Sequence, residues 1–276
     1  MELTKKPVLK IIIPIVASLF SGLLMADSLP CVIEPTETVE LGSPVIGIIN
    51  SIKVERGDTV KKGQIIAKLA SDVERKSVDL ATLRVNDFSE VQSAVAAKEH
   101  AKREKTRAVL LFKKNLISKQ ALDKAVTEDT LARAQVAQAR ENISQSNQEL
   151  KLARARLNQR TLRSPINGII TERYLSPGNR VQDQPIVRIA KVNPLRVEVI
   201  VPAKYFNQFK KGQIVKVAPE LPGFKPKDAK VKIIDRTLDA ASNTFRITLE
   251  LANPDLEVPA GARCTVNLGI NDDTQG

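Results

Sequence analysis

Residues 64–164 form an unbroken run of 101 residues with neither glycine nor proline, although the chain holds 12 Gly and 15 Pro in its 276 residues. These two residue types are the strongest breakers of helices, so their exclusion from over a third of the chain predicts a long helical insert with few turns. Aromatic content of 3%, with no Trp and two Tyr, leaves few large side chains for a broad core, a stacking platform or a deep small-molecule pocket, which disfavours a compact enzyme. Disorder is excluded by the 42% of hydrophobic residues, which recur periodically.

Within the insert, alternate steps of three and four from Leu122 meet Ala125, Asp129, Ala132, Val136, Ala139, Ile143, Ser146, Leu150, Ala153 and Leu157, nine of eleven positions being apolar. A mean step of 3.5 residues is the period of a coiled coil. The first arm is weaker: Leu80, Leu83, Ala94, Ala97, Ala101, Ala108 and Leu111 keep the step, while Asp87, Glu90 and Glu104 interrupt it. If the helices run from Asp72 to Arg160, symmetry puts the apex at Leu116, with Ser118 as N-cap of the second helix.

The flanks repeat one another. Ser43-Pro44-Val45-Ile46-Gly47-Ile48-Ile49 recurs as Ser164-Pro165-Ile166-Asn167-Gly168-Ile169-Ile170, and Gly57-Asp58-Thr59-Val60 as Gly178-Asn179-Arg180-Val181, both at an offset of 121. After the turn the offset is 120, since Gln64-Ile65-Ile66-Ala67-Lys68-Leu69 matches Gln184-Pro185-Ile186-Val187-Arg188-Ile189. Two such half-sheets, rich in β-branched residues and split by the insert, are expected to close into one small β-sandwich. From Val192 onward, alternating apolar runs separated by Pro and Gly turns predict a small antiparallel barrel, joined by a strand from residues 31–40.

Lys5, Lys6 and Lys10 precede an apolar stretch, residues 11–25, and small Ala26 follows. The pattern reads as an export signal, either cleaved or retained as a short inner-membrane anchor, and places the body of the chain outside the cytosol. Without this segment the chain has no Met and one histidine, His100, so neither a Ser-His-Asp triad nor a His-rich metal site can be assembled; no catalytic residue, cofactor or metal is expected. Cys31 and Cys264 are the only thiols and form either one disulfide or two separate buried thiols.

Taken in this order, the Ser-Pro-x-x-Gly and Gly-Asp-x-Val-x-x-Gly-Gln motifs, the insert, the segment Asp239-Ala240-Ala241-Ser242-Asn243-Thr244-Phe245-Arg246 and the Asn253-Pro254 to Pro259-Ala260-Gly261 stretch resemble the periplasmic adaptor (membrane fusion protein, HlyD-like) family of bacterial tripartite efflux and type I secretion systems. The resemblance implies an elongated α+β protein: residues 39–71 and 161–189 form a lipoyl-like β-sandwich, 72–160 an antiparallel α-helical coiled-coil hairpin inserted between its halves, and 27–38 with 190–270 the β-barrel, flanked by 1–26 and a tail, 271–276. Only six residues follow Ile270, so the membrane-proximal domain of drug-exporting relatives is not expected. The resemblance also implies a non-catalytic periplasmic subunit at the inner membrane. It would self-associate into a hexamer-like ring and link an RND-type inner-membrane transporter to an outer-membrane channel protein. The alternative partner is an ABC-type exporter or type I secretion system; a biotin or lipoate carrier is a remote third reading, since the insert occupies the place of the modified Lys. In adaptors that dock on efflux channels the tip reads Arg-x-x-x-Leu-x-x-x-x-x-x-Ser, a spacing met here by Arg107, Leu111 and Ser118. Nucleic acid is disfavoured as a partner despite the net charge of +12, given the export signal and the missing aromatic platforms.

Overall fold

A computed structural model describes Glu2 and residues 28–267; apart from Glu2, the signal or anchor segment and the tail 271–276 lie outside the described residues. The described chain forms two compact units.

In the first-half repeat the strands are β2 (Gly47–Ile52), β3 (Thr59–Val60) and β4 (Ile65–Leu69). After three helices follow β5 (Thr161–Arg163), β6 (Gly168–Arg173), β7 (Arg180–Val181) and β8 (Val187–Pro202). Their pairing reproduces the repeat residue by residue. Gly47 pairs with Val181 and Ile48 with Arg180, while Val60 pairs with Gly168 and Thr59 with Ile169. Ile49–Leu69, Ser51–Lys68 and Ile52–Ala67 on β2–β4 correspond to Ile170–Ile189, Glu172–Arg188 and Arg173–Val187 on β6–β8, including the register shift after the first pair. Each half thus supplies a strand to the other, and the equivalent side chains Ile49 and Ile170, Val60 and Val181, Ile66 and Ile186, and Leu69 and Ile189 fill one buried core. Even the turns match: the Asp58 carboxylate accepts from the Glu55 N–H at 2.8 Å, and the Asn179 side-chain oxygen from the Ser176 N–H at 3.0 Å.

The helices are α1 (Asp72–Val85), α2 (Ser89–Lys113) and α3 (Lys119–Gln159). Cross-helix bonds run in descending order against ascending: Arg84 donates to Glu149 at 3.0 Å, Glu90 accepts from the Asn142 amide at 3.1 Å and Lys105 donates to Asp129 at 2.8 Å, so α3 lies antiparallel to both α1 and α2. With 41 residues, α3 is about 60 Å long. Its buried residues Ala125, Asp129, Ala132, Val136, Ala139, Leu150 and Ala153 all fall on the step of three and four read from Leu122.

Two expectations for the first arm are corrected. The arm is broken at residues 86–88, where the Asp87 carboxylate accepts from both the N–H and the hydroxyl of Ser89 and starts a new helix. Those two bonds also hold the Asp87 pKa below the usual carboxylate range. The inward face of α1 is Val78, Ala81 and Val85, packed with Leu150 and Ala153, whereas Leu80 and Leu83 point to solvent. On α2, Ala94 is buried against Val136 and Ala139, with Val91 and Val95 alongside, while Ala97 is exposed.

The other unit takes the first residues of β1 (Ser28–Leu41), up to Ile33, and the last of β8, from Arg196; β1, β12 (Arg263–Asn267), β9 (Ile214–Pro219), β10 (Lys227–Ile234), β11 (Thr244–Leu251) and β8 are neighbours in that order, and a further pairing links β1 with β8. Alternate residues such as Val197, Val199, Val215, Val217, Phe245, Ile247 and Leu249 are buried inside, as period-two strands require. Cys31 and Cys264 face each other in register on β1 and β12 with Cα atoms 4.9 Å apart and are joined as a disulfide.

Candidate docking site at the helix apex

The reversal from α2 to α3 takes five residues. Asn115 adopts a left-handed φ of 58°, its N–H donates to the Phe112 carbonyl at 2.9 Å, and the Leu116 N–H reaches back to the Leu111 carbonyl at 3.0 Å. This is a Schellman-type stop, with Asn in the position that glycine takes more often, so no glycine is needed to end the helix. Ser118 then caps α3: its backbone is extended and its Oγ accepts from the Ala121 N–H at 3.2 Å.

The three residues singled out by spacing are placed differently from one another. Arg107 is exposed on the last turns of α2, where its guanidinium donates to the Glu104 carboxylate at 3.0 Å. So open an ion pair is worth little and leaves the fork free to change partners. Leu111 is half-buried and its carbonyl closes the helix stop; Ser118 is exposed and engaged as the cap. Two leucines that the spacing did not single out present more apolar surface: Leu110 is 57% and Leu116 66% exposed. Leu116 sits at the midpoint located by symmetry, and that position was its available signal. Between residues 96 and 124 nine cations stand against three acids, and of these Lys113, Lys114 and Lys119 flank the apex with no acidic partner among the described residues.

Below the apex lies a group that the sequence pattern presents only as an interruption. Asp129 is 1% exposed on the inner face of α3, and one of its oxygens, Oδ2, takes Lys105 Nζ at 2.8 Å and Arg133 Nε at 3.1 Å. The Lys105 bond first, then that of Arg133, holds its pKa below the usual carboxylate range. A carboxylate so placed is retained only because cations from both helices meet it, which ties the register of α2 to that of α3. At the other end of α3, Arg160 donates to the Ile46 carbonyl at 2.9 Å and to Glu74 at 2.7 Å, fastening the helices to the sandwich. Among the described residues no group of three His, Cys, Asp or Glu could hold a metal ion.

Comparison with known proteins follows the same outline. Residues 37–191, more than half of the chain, match the family described as CzcB-like, barrel-sandwich hybrid domain. The chain belongs to that family. The matched span begins in β1 and ends in β8, so the family's domain takes in both sandwich halves and the helices between them. One relative is the UPF0194 membrane protein in the asrC 5' region of Acidithiobacillus ferridurans, 24% identical over 82% of either chain. Another is the cobalt-zinc-cadmium resistance protein CzcB of Cupriavidus metallidurans, 24% identical over 84% of this chain and 42% of its own, so this chain spans less than half of CzcB. In structure it is similar to MacA from Actinobacillus actinomycetemcomitans, with a TM-score of 0.73, 21% identity and coverage of 87% of this chain and 76% of that one. The membrane fusion protein Spr0693 from Streptococcus pneumoniae gives 0.59 at 17% identity, over 87% and 96% of the two chains. The fold is therefore that of membrane fusion proteins.

Proposed function

We propose that this chain is a non-catalytic adaptor of a bacterial export system. It stands in the periplasm at the inner membrane and links an inner-membrane transporter, of the RND type, to an outer-membrane channel. The observation that carries this reading is the apex, where two antiparallel helices converge on Leu110, Leu116 and a set of uncompensated lysines. An apolar tip ringed by cations is suited to an acidic, apolar-lined channel mouth, with steering that weakens as salt rises. In this reading the helix pair is a projecting coiled-coil hairpin, and Arg107, Leu111 and Ser118 belong to its docking tip. The relationship to CzcB, a metal-resistance protein by name, supports a role in export.

Self-association into a hexamer-like ring is part of the same proposal. Val73, Leu80 and Leu83 form an outward apolar stripe on α1, 79%, 52% and 69% exposed, and isolated helix pairs bury too little to leave such a stripe in water. An ABC-type exporter or type I secretion system is the alternative partner on the same geometry, distinguished by which purified transporter retains the chain. The test of the adaptor reading is a photo-crosslinking side chain placed at Leu116 in living cells. Adducts with an outer-membrane channel are expected; adducts with soluble periplasmic proteins alone would defeat the reading.

A further inference from the structure

The barrel carries a surface that docking at the helix apex does not use. Strand register collects one rim: Ser28 at the start of β1 pairs with Asn267 at the end of β12, Asn267 with Lys216 on β9, and Ile214 at the start of β9 with Lys230 on β10, which runs on to Ile234. The link from β8 to β9, residues 203–213, and the loop after β10 lie on this rim as well. Lys204, Lys210, Lys211, Lys232 and Arg236 are all exposed there. The acids nearby are few or engaged: Glu250 pairs with Lys232, Asp239 accepts the Ala241 and Ser242 N–H groups, and Asp235 is half-buried.

Among these cations sits an apolar side chain turned the wrong way for a barrel. Along β10, Ala229 and Val231 point inward, so alternation would bury the residue at 233. The register against β11 shifts between Val231 and Ile233, and Ile233 emerges 53% exposed in a groove lined by Phe206, Lys211, Lys232 and Arg236. Bulges that re-aim a side chain in this way are features rather than defects. Ile214, 58% exposed, and Leu238, 50% exposed, extend the apolar surface along the same rim.

Cations around protruding aliphatic side chains match an anionic bilayer surface, with Lys and Arg at the phosphates and Ile at the acyl boundary. The chain itself selects this partner over an acidic protein. The apolar residues 11–25 end three positions before Ser28, and at no more than about 3.6 Å per residue that connection spans roughly 11 Å. A segment held in the bilayer therefore delivers this rim, and not the opposite one, to the membrane surface. We infer that the rim of the barrel bearing Lys211, Arg236 and Ile233 rests on anionic phospholipid headgroups. The inference depends on the inner-membrane location proposed above, with residues 11–25 retained as the anchor, and not on the apex.

The chain has no Trp, so Ile233→Trp places its single tryptophan at the rim, excited selectively over the two tyrosines. The full chain is bound to vesicles of phosphatidylcholine alone or with about 30 mol% phosphatidylglycerol, a content that provides an anionic surface. The N-terminal segment holds the chain on both, so the comparison isolates the rim. A blue shift, quenched by brominated lipid, is expected on the anionic vesicles only. Each cation near such a surface contributes about fivefold, so Lys211→Glu with Arg236→Glu weakens the rim contact by at least about 25-fold and abolishes the shift. Lys225→Glu, within the β9–β10 connection at the opposite rim, leaves it intact. An equal shift on both vesicles, no shift on either, or a shift that survives the double reversal overturns the inference. Loss of transporter binding in the double variant with the vesicle shift unchanged assigns the surface to a protein partner and also overturns it. Failure of channel crosslinking at Leu116 bears on the adaptor reading alone.

Discussion

Gly47 and Gly168 occupy equivalent positions in the two repeats, yet Ala at the two sites is expected to behave differently. A Cβ on Gly168 would lie 2.4 Å from the Ala190 carbonyl oxygen and 2.9 Å from its carbon, both backbone atoms of β8. Ordinary contact begins near 3.5 Å, so β6 and β8 must part by about 1 Å in the middle of a ladder. Overpacking of this kind costs about 1–3 kcal/mol, and one weakened ladder hydrogen bond adds about 1 kcal/mol, giving roughly 2–4 kcal/mol in all. At Gly47 the nearest atom is Arg160 Nη1, 2.7 Å away at the far end of a flexible side chain. Moving it sacrifices the bond to the Ile46 carbonyl, about 1 kcal/mol, against a gain of about 0.4–1 kcal/mol from the stiffer unfolded chain. Neither requirement arises from φ, which is not positive at these two residues. Thermal unfolding followed by calorimetry should show Gly168→Ala lowering the midpoint of the sandwich by about 5–15 °C and Gly47→Ala by no more than about 4 °C. Equal shifts, or a larger loss at Gly47, would refute the claim that close approach of the β8 backbone reserves the second Ser-Pro-x-x-Gly glycine.

Reducing the Cys31–Cys264 disulfide, which closes 233 residues of chain, removes up to about 5 kcal/mol of loop-closure stabilisation, and the oxidised protein should unfold at clearly higher denaturant concentration; coincident curves would contradict this. Asp129 has a folded pKa below its unfolded value near 3.9, so its contribution is complete above that pH and is lost as pH falls through the lower, folded pKa. Helicity of the wild type should therefore show an acid-induced loss below about pH 4 that Asp129→Asn lacks, read by circular dichroism; identical profiles would remove Asp129 from the account.

The sandwich was legible in advance because its information is local and duplicated: an offset of 121 that drops to 120 after the turn predicts which strands correspond, and the observed ladders keep that offset. The apex was legible for a similar reason, since Ser118 caps α3 with its own side chain and symmetry fixed Leu116. The break at residues 86–88 left no trace of glycine or proline because a carboxylate bonding to Ser89 makes it. On α1 two apolar stripes lie close together, Leu80 with Leu83 and Val78 with Ala81 and Val85, and only packing against α3 selects the second. Asp129 looked like a flaw in the seam because its partner Lys105 lies 24 residues away on the other helix, and the register between helices cannot be read along one strand of sequence.

The most direct test of docking at the apex is channel co-purification with Arg107→Asp beside Lys151→Asp. Arg84 on α1 is unsuitable as the control, because its bond to Glu149 makes a reversal there disturb the helix pair itself, whereas Lys151 is an exposed cation far from the apex on α3. Arg107→Asp faces Glu104 one turn away, a like-charge pair costing only a few tenths of a kcal/mol, so helicity and ring formation should persist. Arg107→Asp is expected to reduce the retained outer-membrane channel by about tenfold or more, the effect of losing one directed charge-assisted contact, while Lys151→Asp retains it as the wild type does. Equal retention by both variants, or equal loss from both, would contradict docking at the apex.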